Sequence, residues 1–316
     1  MGTTRLVRVG TRGSALARWQ TDHVLAALAA AHPGLVAEVE VIKTQGDKVL
    51  DVPLSRIGDR GLFVKEIEEA LSAGRIDLAV HSLKDLPTRQ PDGLVIAAVM
   101  ARADARDCLV SPRYGTLAGL PPDAVVGTSS LRRQAQLKAR HPGWTFKDVR
   151  GNVQTRLDKL DRGEYDGLIL ATAGLDRLGL AGRIGEHLAL ADCLPAVGQG
   201  ALAIETREAD VGLREMLAAL EDRDTRACVT AERALLRQLE GGCQVPIGAH
   251  AVVDGQALVL SGVVAALDGS RVVAADGRGG LDQAEALGRE VAALLVARGG
   301  GAILAAVRAA SLPGEP

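Results

Sequence analysis

The same pattern occurs twice in the first two hundred residues, and this repeat constrains the fold more than any other feature. Leu6-Val7-Arg8-Val9-Gly10-Thr11 reads as a buried strand. Ser14 then reads as an N-cap and Ala15–Ala31 as a helix, stopped by His32-Pro33-Gly34. Ala124-Val125-Val126-Gly127-Thr128 repeats the strand, Leu131–Arg140 the helix and His141-Pro142-Gly143 the stop. A strand follows each stop, over residues 36–43 in the first copy. Each copy then carries an amphipathic helix, over 63–73 and Val153–Asp161, and an apolar strand, over 76–80 and 165–170. Strands alternating with helices predict mostly parallel or mixed sheets covered on both faces. Ligands bind such sheets off the carboxyl ends of the strands, and two facing halves leave a cleft.

The last hundred residues differ in character. A helix is expected over 225–239, then strands punctuated by the hairpin signals Asp254-Gly255 and Asp268-Gly269, then a helix over 283–298. This reads as a small α+β domain. Near its start, Leu239-Glu240-Gly241-Gly242-Cys243-Gln244-Val245-Pro246 sets one thiol on a glycine-flanked loop, open to approach by a bulky group.

Composition narrows the function. A net charge of −2 gives no bulk attraction to nucleic acid, and 2% aromatic residues leave little for base stacking. No segment approaches the roughly 18 apolar residues of a membrane span, and the N-terminus has no signal-peptide pattern. A cytoplasmic, reducing setting is therefore expected. Cys108, Cys193, Cys228 and Cys243 are far apart, with no CxxC pair, so free thiols are expected and metal is not. GxxxxGK[ST], strand-linked GxGxxG and HExxH motifs are all missing, which disfavours nucleotide and metalloprotease chemistry.

Cations and hydroxyls gather at the strand ends. The first copy supplies Thr11, Arg12 and Ser14, and the second Thr128, Ser129, Ser130, Arg132 and Arg133. Arg132 and Arg133 oppose the dipole of the helix they begin, so an anion is expected beside them. Arg150 and Arg156 flank the start of another helix. The strand over 76–80 runs into His81-Ser82-Leu83-Lys84-Asp85-Leu86-Pro87. Arginine forks onto carboxylates, so the cleft suits a polyanion rich in carboxylates or phosphates. His32 and His141 occupy equivalent turns and read as structural. His81 reads either as functional or as a hydrogen-bonded buried histidine.

The chain resembles the porphobilinogen deaminases, also called hydroxymethylbilane synthases. The resemblance rests on ordered blocks spanning nearly the whole chain: residues 11–17, 65–68, 79–87, 126–133, 150–153, Leu194-Pro195-Ala196-Val197-Gly198-Gln199-Gly200 and the cysteine loop. It implies two lobes like those of periplasmic binding proteins, with mixed sheets, and a small α+β C-terminal domain. The expected division is 1–100 with 200–217, 101–199, and 218–316. It implies that four porphobilinogen molecules condense head to tail into hydroxymethylbilane, releasing ammonia. Cys243 matches the cysteine that holds a dipyrromethane cofactor through a thioether, and Asp85 the catalytic aspartate. Lys84, Ser129, Arg132 and Arg133 match cofactor binders; Arg12, Ser14, Arg150, Arg156 and Arg177 match substrate binders. Expected partners are the small-molecule substrate and, transiently, the next enzyme of the pathway; a monomer is the default. Gly13, Arg56 and Arg60 depart from the family pattern. A non-catalytic anion binder could share such lobes, but binding alone gives no reason for Cys243 or the third domain, and a ligand-sensing transcription regulator would need a helix-turn-helix region that the sequence outside the lobes does not offer.

The cysteine loop generates a direct expectation. Intact mass of the purified protein should exceed that of the chain by two linked pyrroles, and Cys243→Ser should abolish the excess together with activity. A fully active serine variant would remove Cys243 from the assignment.

Overall fold

The structure is a computed structural model that describes residues 6–48, 64–240 and 245–311. Cys243, Arg56 and Arg60 lie outside the described residues. In chain order the elements begin with β1 (Leu6–Thr11), α1 (Ala15–Ala31), β2 (Val36–Val41), α2 (Gln45–Lys48), α3 (Lys65–Ser72), β3 (Leu78–Ser82) and β4 (Leu94–Val99). There follow β5 (Asp107–Val110), β6 (Val125–Gly127), α4 (Leu131–Arg140), β7 (Thr145–Lys147), α5 (Val153–Asp161), β8 (Gly167–Ala171), α6 (Thr172–Arg177) and β9 (Glu186–His187). The chain ends with β10 (Leu202–Arg207), α7 (Val211–Leu217), α8 (Arg223–Gln238), β11 (Ile247–Asp254), β12 (Ala257–Ala265), β13 (Val272–Gly280), α9 (Ala284–Ala297) and α10 (Gly300–Ser311).

Two five-stranded sheets carry the repeat. Their orders are β2-β1-β3-β10-β4 and β7-β6-β8-β5-β9. Both are mixed: in the first, β1 pairs parallel with β2 and β3, while β10 runs antiparallel to β3 and β4. In the second, β6 pairs parallel with β7 and β8, while β5 runs antiparallel to β8. Alternation places Val7 and Val9 on one face of the first sheet, packed with Val24 and Leu28 of α1 and Leu213 and Leu217 of α7. The other face packs Ile76 and Ala79 under Ile67 and Leu71 of α3. The three-stranded meander β11-β12-β13 forms the third domain with α8, α9 and α10.

The two His-Pro-Gly turns behave alike. His32 and His141 each close their helix by a backbone bond to Leu28 or Leu137. His32 also meets the Met216 carbonyl at 2.9 Å, and His141 stacks on Trp144 with centroids 3.7 Å apart. Several elements differ from expectation: β2 stops at Val41, and β8, like β3, starts two residues late, at Gly167. β3 starts at Leu78, because Asp77 accepts from both Arg8 and Arg207 and so anchors the strand entrance. α10 is unforeseen, since no element is expected beyond residue 298. Ile303, Leu304 and Val307 are nonetheless buried, the first two in the core of the third domain.

The chain crosses between the two sheets twice, near residues 100–106 and 196–201. The crossings lie close: Ala103 donates its N–H to the Gly200 carbonyl at 3.2 Å. Gly198 (φ 71°) and Gly200 (φ 90°) are left-handed, and a Cβ on Gly200 would sit 2.5 Å from the Ala103 oxygen. Glu232 of α8, wholly buried, clamps this hinge from the third domain. Its carboxylate accepts from Arg102 Nη1 at 2.5 Å and Nη2 at 3.2 Å, from Gly198 N at 2.7 Å and from Ala251 N at 2.8 Å. Replacing it with an amide leaves Arg102 an uncompensated buried charge and turns one acceptor into a donor facing N–H groups. Glu232→Gln is expected to lose about 3–5 kcal/mol of stability, read from urea unfolding midpoints. A variant as stable as the parent would show that the clamp carries no energy.

Candidate active site

The strand β3 ends in a 3-10 turn, Leu83–Asp85, that sets two charged side chains at the sheet's carboxyl end. Leu83 and Leu86 bury on either side, and Leu83 donates its N–H to Ala201 O at 3.0 Å, so the backbone of Lys84 and Asp85 is held. Asp85 is half-buried and faces a solvent-open hollow that it lines with Arg12, Ser14, Gln20, His81 and Ser82. Ser14 caps α1 by accepting from Ala17 N at 3.2 Å. Gln20 donates to Ser82 Oγ at 2.8 Å. His81 is buried, its Nε2 3.1 Å from Glu205 Oε2.

The second sheet contributes most of the remaining cations. Arg132 and Arg133 do have an anion beside them, and it is the chain's own Asp107. Arg132 Nη1 lies 2.7 Å from Asp107 Oδ2, and Arg133 Nη2 lies 2.7 Å from Oδ1. Arg132 also donates to Leu194 O at 2.6 Å and Arg133 to Ile169 O at 2.9 Å. Burial pushes the Asp107 carboxyl up, but the two arginines outweigh it and hold the group well below the usual carboxylate range. Gln199 links this fork to the first lobe, giving Nε2 to Asp107 Oδ1 at 2.8 Å and taking Lys84 Nζ on Oε1 at 3.4 Å.

Electrostatics converge on Asp85. Burial lowers the Lys84 ammonium to about 8, with Asp85 opposing and Arg133 adding to the fall. Burial, then Arg133 and Arg150, lower Arg156 to about 10, again with Asp85 opposing. Asp85 of one lobe therefore sits within the field of cations from both. Ser129 acts locally. Its hydroxyl donates to Val149 O and accepts from Val149 N, both at 3.1 Å, tying down the segment that leads to Arg150. Arg177 spans the lobes, donating to Gly200 O at 2.6 Å and lying 5.8 Å from the centre of the Trp19 ring. Burial lowers it to about 10. Arg133 keeps one buried donor, Nε, without a partner among the described residues. This donor set, cationic and fork-shaped, fits a polycarboxylate such as a pyrrole chain. No group of three or more His, Cys, Asp or Glu among the described residues is placed to hold a metal ion.

Sequence reasoning missed Asp107 and Gln199. The available signals were a lone acid opening the apolar strand Asp107-Cys108-Leu109-Val110, and a basic pair at a helix start that demanded an anion. The thiols of Cys108, Cys193 and Cys228 are free and buried, and burial raises them to about 11, 12 and 11.

Residues 7–215 match the family model described as porphobilinogen deaminase, dipyromethane cofactor binding domain, and residues 226–297 the C-terminal domain of the same family. The chain is 55% identical over 301 residues to the porphobilinogen deaminase of Chromobacterium violaceum, covering 95% of this chain and 97% of that one. It is 52% identical to that of Bordetella parapertussis (96% and 97% covered) and 52% identical to that of a Synechococcus species (98% and 99% covered). Among solved structures, the methionine binding protein MetQ aligns over 70% of this chain and 92% of its own at a TM-score of 0.45 and 14% identity.

The Asp107 fork yields a pH-dependent expectation. A depressed folded pKa adds stability that is present above the unfolded value of about 3.9 and is lost as pH falls toward the folded value. Asp107→Asn should therefore lose about 3–5 kcal/mol at neutral pH and unfold with a flatter acid limb below about pH 4. Urea melts across pH measure both; parallel acid limbs in the two proteins would contradict the assignment.

Proposed function

The chain belongs to the porphobilinogen deaminase family, and on that premise we propose that Asp85 is the group at which its chemistry takes place. The family role is deamination and polymerisation: porphobilinogen units are joined into the linear tetrapyrrole hydroxymethylbilane, with loss of ammonia. The observation that carries the assignment is the placement of Asp85, an acid at the carboxyl end of β3, facing the hollow and within the field of Lys84, Arg133 and Arg156.

Each porphobilinogen brings an acetate and a propionate, and Arg12, Ser14, Arg150, Arg156 and Arg177 are assigned to them. Lys84, Ser129, Arg132 and Arg133 are assigned to the carboxylates of the dipyrromethane, attached by a thioether at Cys243. When bound, that group supplies the free α-carbon to which the first unit is joined. Protonated Asp85 gives its proton to the substrate amino nitrogen. The C–N bond breaks with its electron pair on nitrogen, and ammonia leaves a cationic methylene-pyrrole. The carboxylate just formed stabilises that cation. Once the new C–C bond exists, the same carboxylate removes the proton from the acceptor carbon and is ready for the next unit. No net proton is needed per addition, so one residue can serve all four.

The lobes divide, in this reading, at about 1–100 with 200–217, 101–199 and 218–316. A single chain supplies every assigned group, which suits a monomer. The three described thiols, free and buried, suit a reducing cytoplasm. No single helix among the described residues is long and apolar enough to cross a membrane. Transient transfer of the product to the next enzyme completes the proposal.

Asp85→Asn is nearly isosteric and should fold normally, while turnover falls by orders of magnitude and substrate still binds. Asp85→Glu should retain some activity, since displacing the carboxylate can cost about a hundredfold. Bilane formation and melting temperature distinguish the outcomes. Near-normal turnover in the asparagine variant would displace Asp85 from this mechanism.

A further inference from the structure

Neighbouring residues of α8 reach in different directions. Glu232 clamps the hinge, whereas Arg233 grips the segment immediately after Asp85. The Arg233 guanidinium, on a residue only 8% exposed, donates to Pro87 O at 2.7 Å, to Gln90 Oε1 at 3.2 Å and to Leu86 O at 3.4 Å. Gln90 in turn donates to Pro87 O at 3.0 Å. Arg233 forms no ion pair among the described residues; Glu205 is the opposing charge in its field. A buried cation without a paired anion is unfavourable unless its surroundings hold it for a reason.

The contact is a stripe. Val229, Arg233 and Arg237 are spaced four apart, so they share one face of α8. Val229 packs in the same core as Leu83 and Leu86, which flank the two charged residues. Arg237 reaches Thr88 O at 3.5 Å. One helix face thus lies along residues 83–90. The far end of the same helix is also fixed: Arg308 of α10 donates to Leu239 O at 2.8 Å and pairs with Glu240 at 3.2 Å. From there the chain runs on to Cys243.

We propose that Arg233 is a positioning residue for the reaction, riveting the Asp85 segment to the helix whose end leads to the anchoring cysteine. The inference rests on the assignment of Asp85 given above. Its physical content is a fixed contact. The reacting carboxylate has to keep its place while units are added, and the Arg233 rivet holds the residues just after it, Leu86, Pro87 and Gln90, against α8. A small displacement of a catalytic group is enough to slow the chemistry while leaving the carboxylate-binding cations, and hence substrate binding, untouched.

The test uses the holoenzyme with Arg233→Met, Arg233→Lys and Gln90→Leu. The methionine variant should lose about ten- to a hundredfold in kcat with KM for porphobilinogen nearly unchanged, and amides of residues 86–90 should exchange hydrogen faster. Lysine should restore part of kcat, because an ammonium can still reach Pro87 O. Gln90→Leu, which removes one acceptor without touching α8, should lower kcat less and leave the melting temperature normal. A folded methionine variant with parental kcat overturns the proposal. So does a kcat loss fully matched by the fraction unfolded, or one accompanied by an equal rise in KM. If the methionine variant does not fold, the lysine and Gln90 variants decide: parental kcat in both overturns it. Failure of the Asp85 assignment would appear separately, as turnover in Asp85→Asn.

Discussion

The buried fork of Asp107 with Arg132 and Arg133 is the interaction on which the site depends. Two adjacent arginines in the first turn of a helix repel each other and oppose its dipole. One carboxylate between them makes the arrangement stable and fixes both guanidinium planes. It neutralises only one of the two charges. The residual positive charge is thus set in a rigid frame before any ligand arrives, so little reorganisation is needed when one does. Gln199 carries the same order across the hinge to Lys84, so the two lobes share a single polar network.

The third domain is a wedge in this arrangement, because α8 is buried on several sides. Its Glu232 takes backbone and side-chain donors from the hinge, and Thr225 accepts from Arg102 N at 3.1 Å. Val229 packs with Val99, the last residue of β4, and with Ala201 of the second crossing. Any relative motion of the lobes must therefore be small enough to preserve these bonds or must carry α8 along.

Much of this was legible locally. The bounds of α1 and α4 follow from short-range signals, the Ser14 cap and the histidine-proline stops. The repeat leaves mostly parallel and mixed sheets both open, and it is the antiparallel β10 and β5 that make them mixed. What escaped the sequence lies in long-range pairing. Asp77 is engaged by Arg8 and Arg207 from distant strands, which shifts the start of β3. Asp107 meets partners 25 and 26 residues on, and no local pattern marks it as their counterion. Lys84, Asp85 and the arginines stand out in sequence because they fall in tight blocks at strand ends. Glu232 and Arg233 look like ordinary charges on an amphipathic helix, and only the tertiary contacts reveal what they hold.

The burial of Cys108, Cys193 and Cys228 acquires a chemical meaning once the reaction is known. In the mechanism proposed above the substrate becomes a carbon electrophile within the protein, and a thiolate is the nucleophile best able to trap it. Three of the four sulfurs are sheathed in core and kept protonated by their surroundings. In the mechanism proposed above, that burial shields the three thiols from alkylation by the reaction's own intermediate. Attachment at Cys243, as proposed, would then be favoured by exclusion as well, since Cys108, Cys193 and Cys228 offer no competing thiolate.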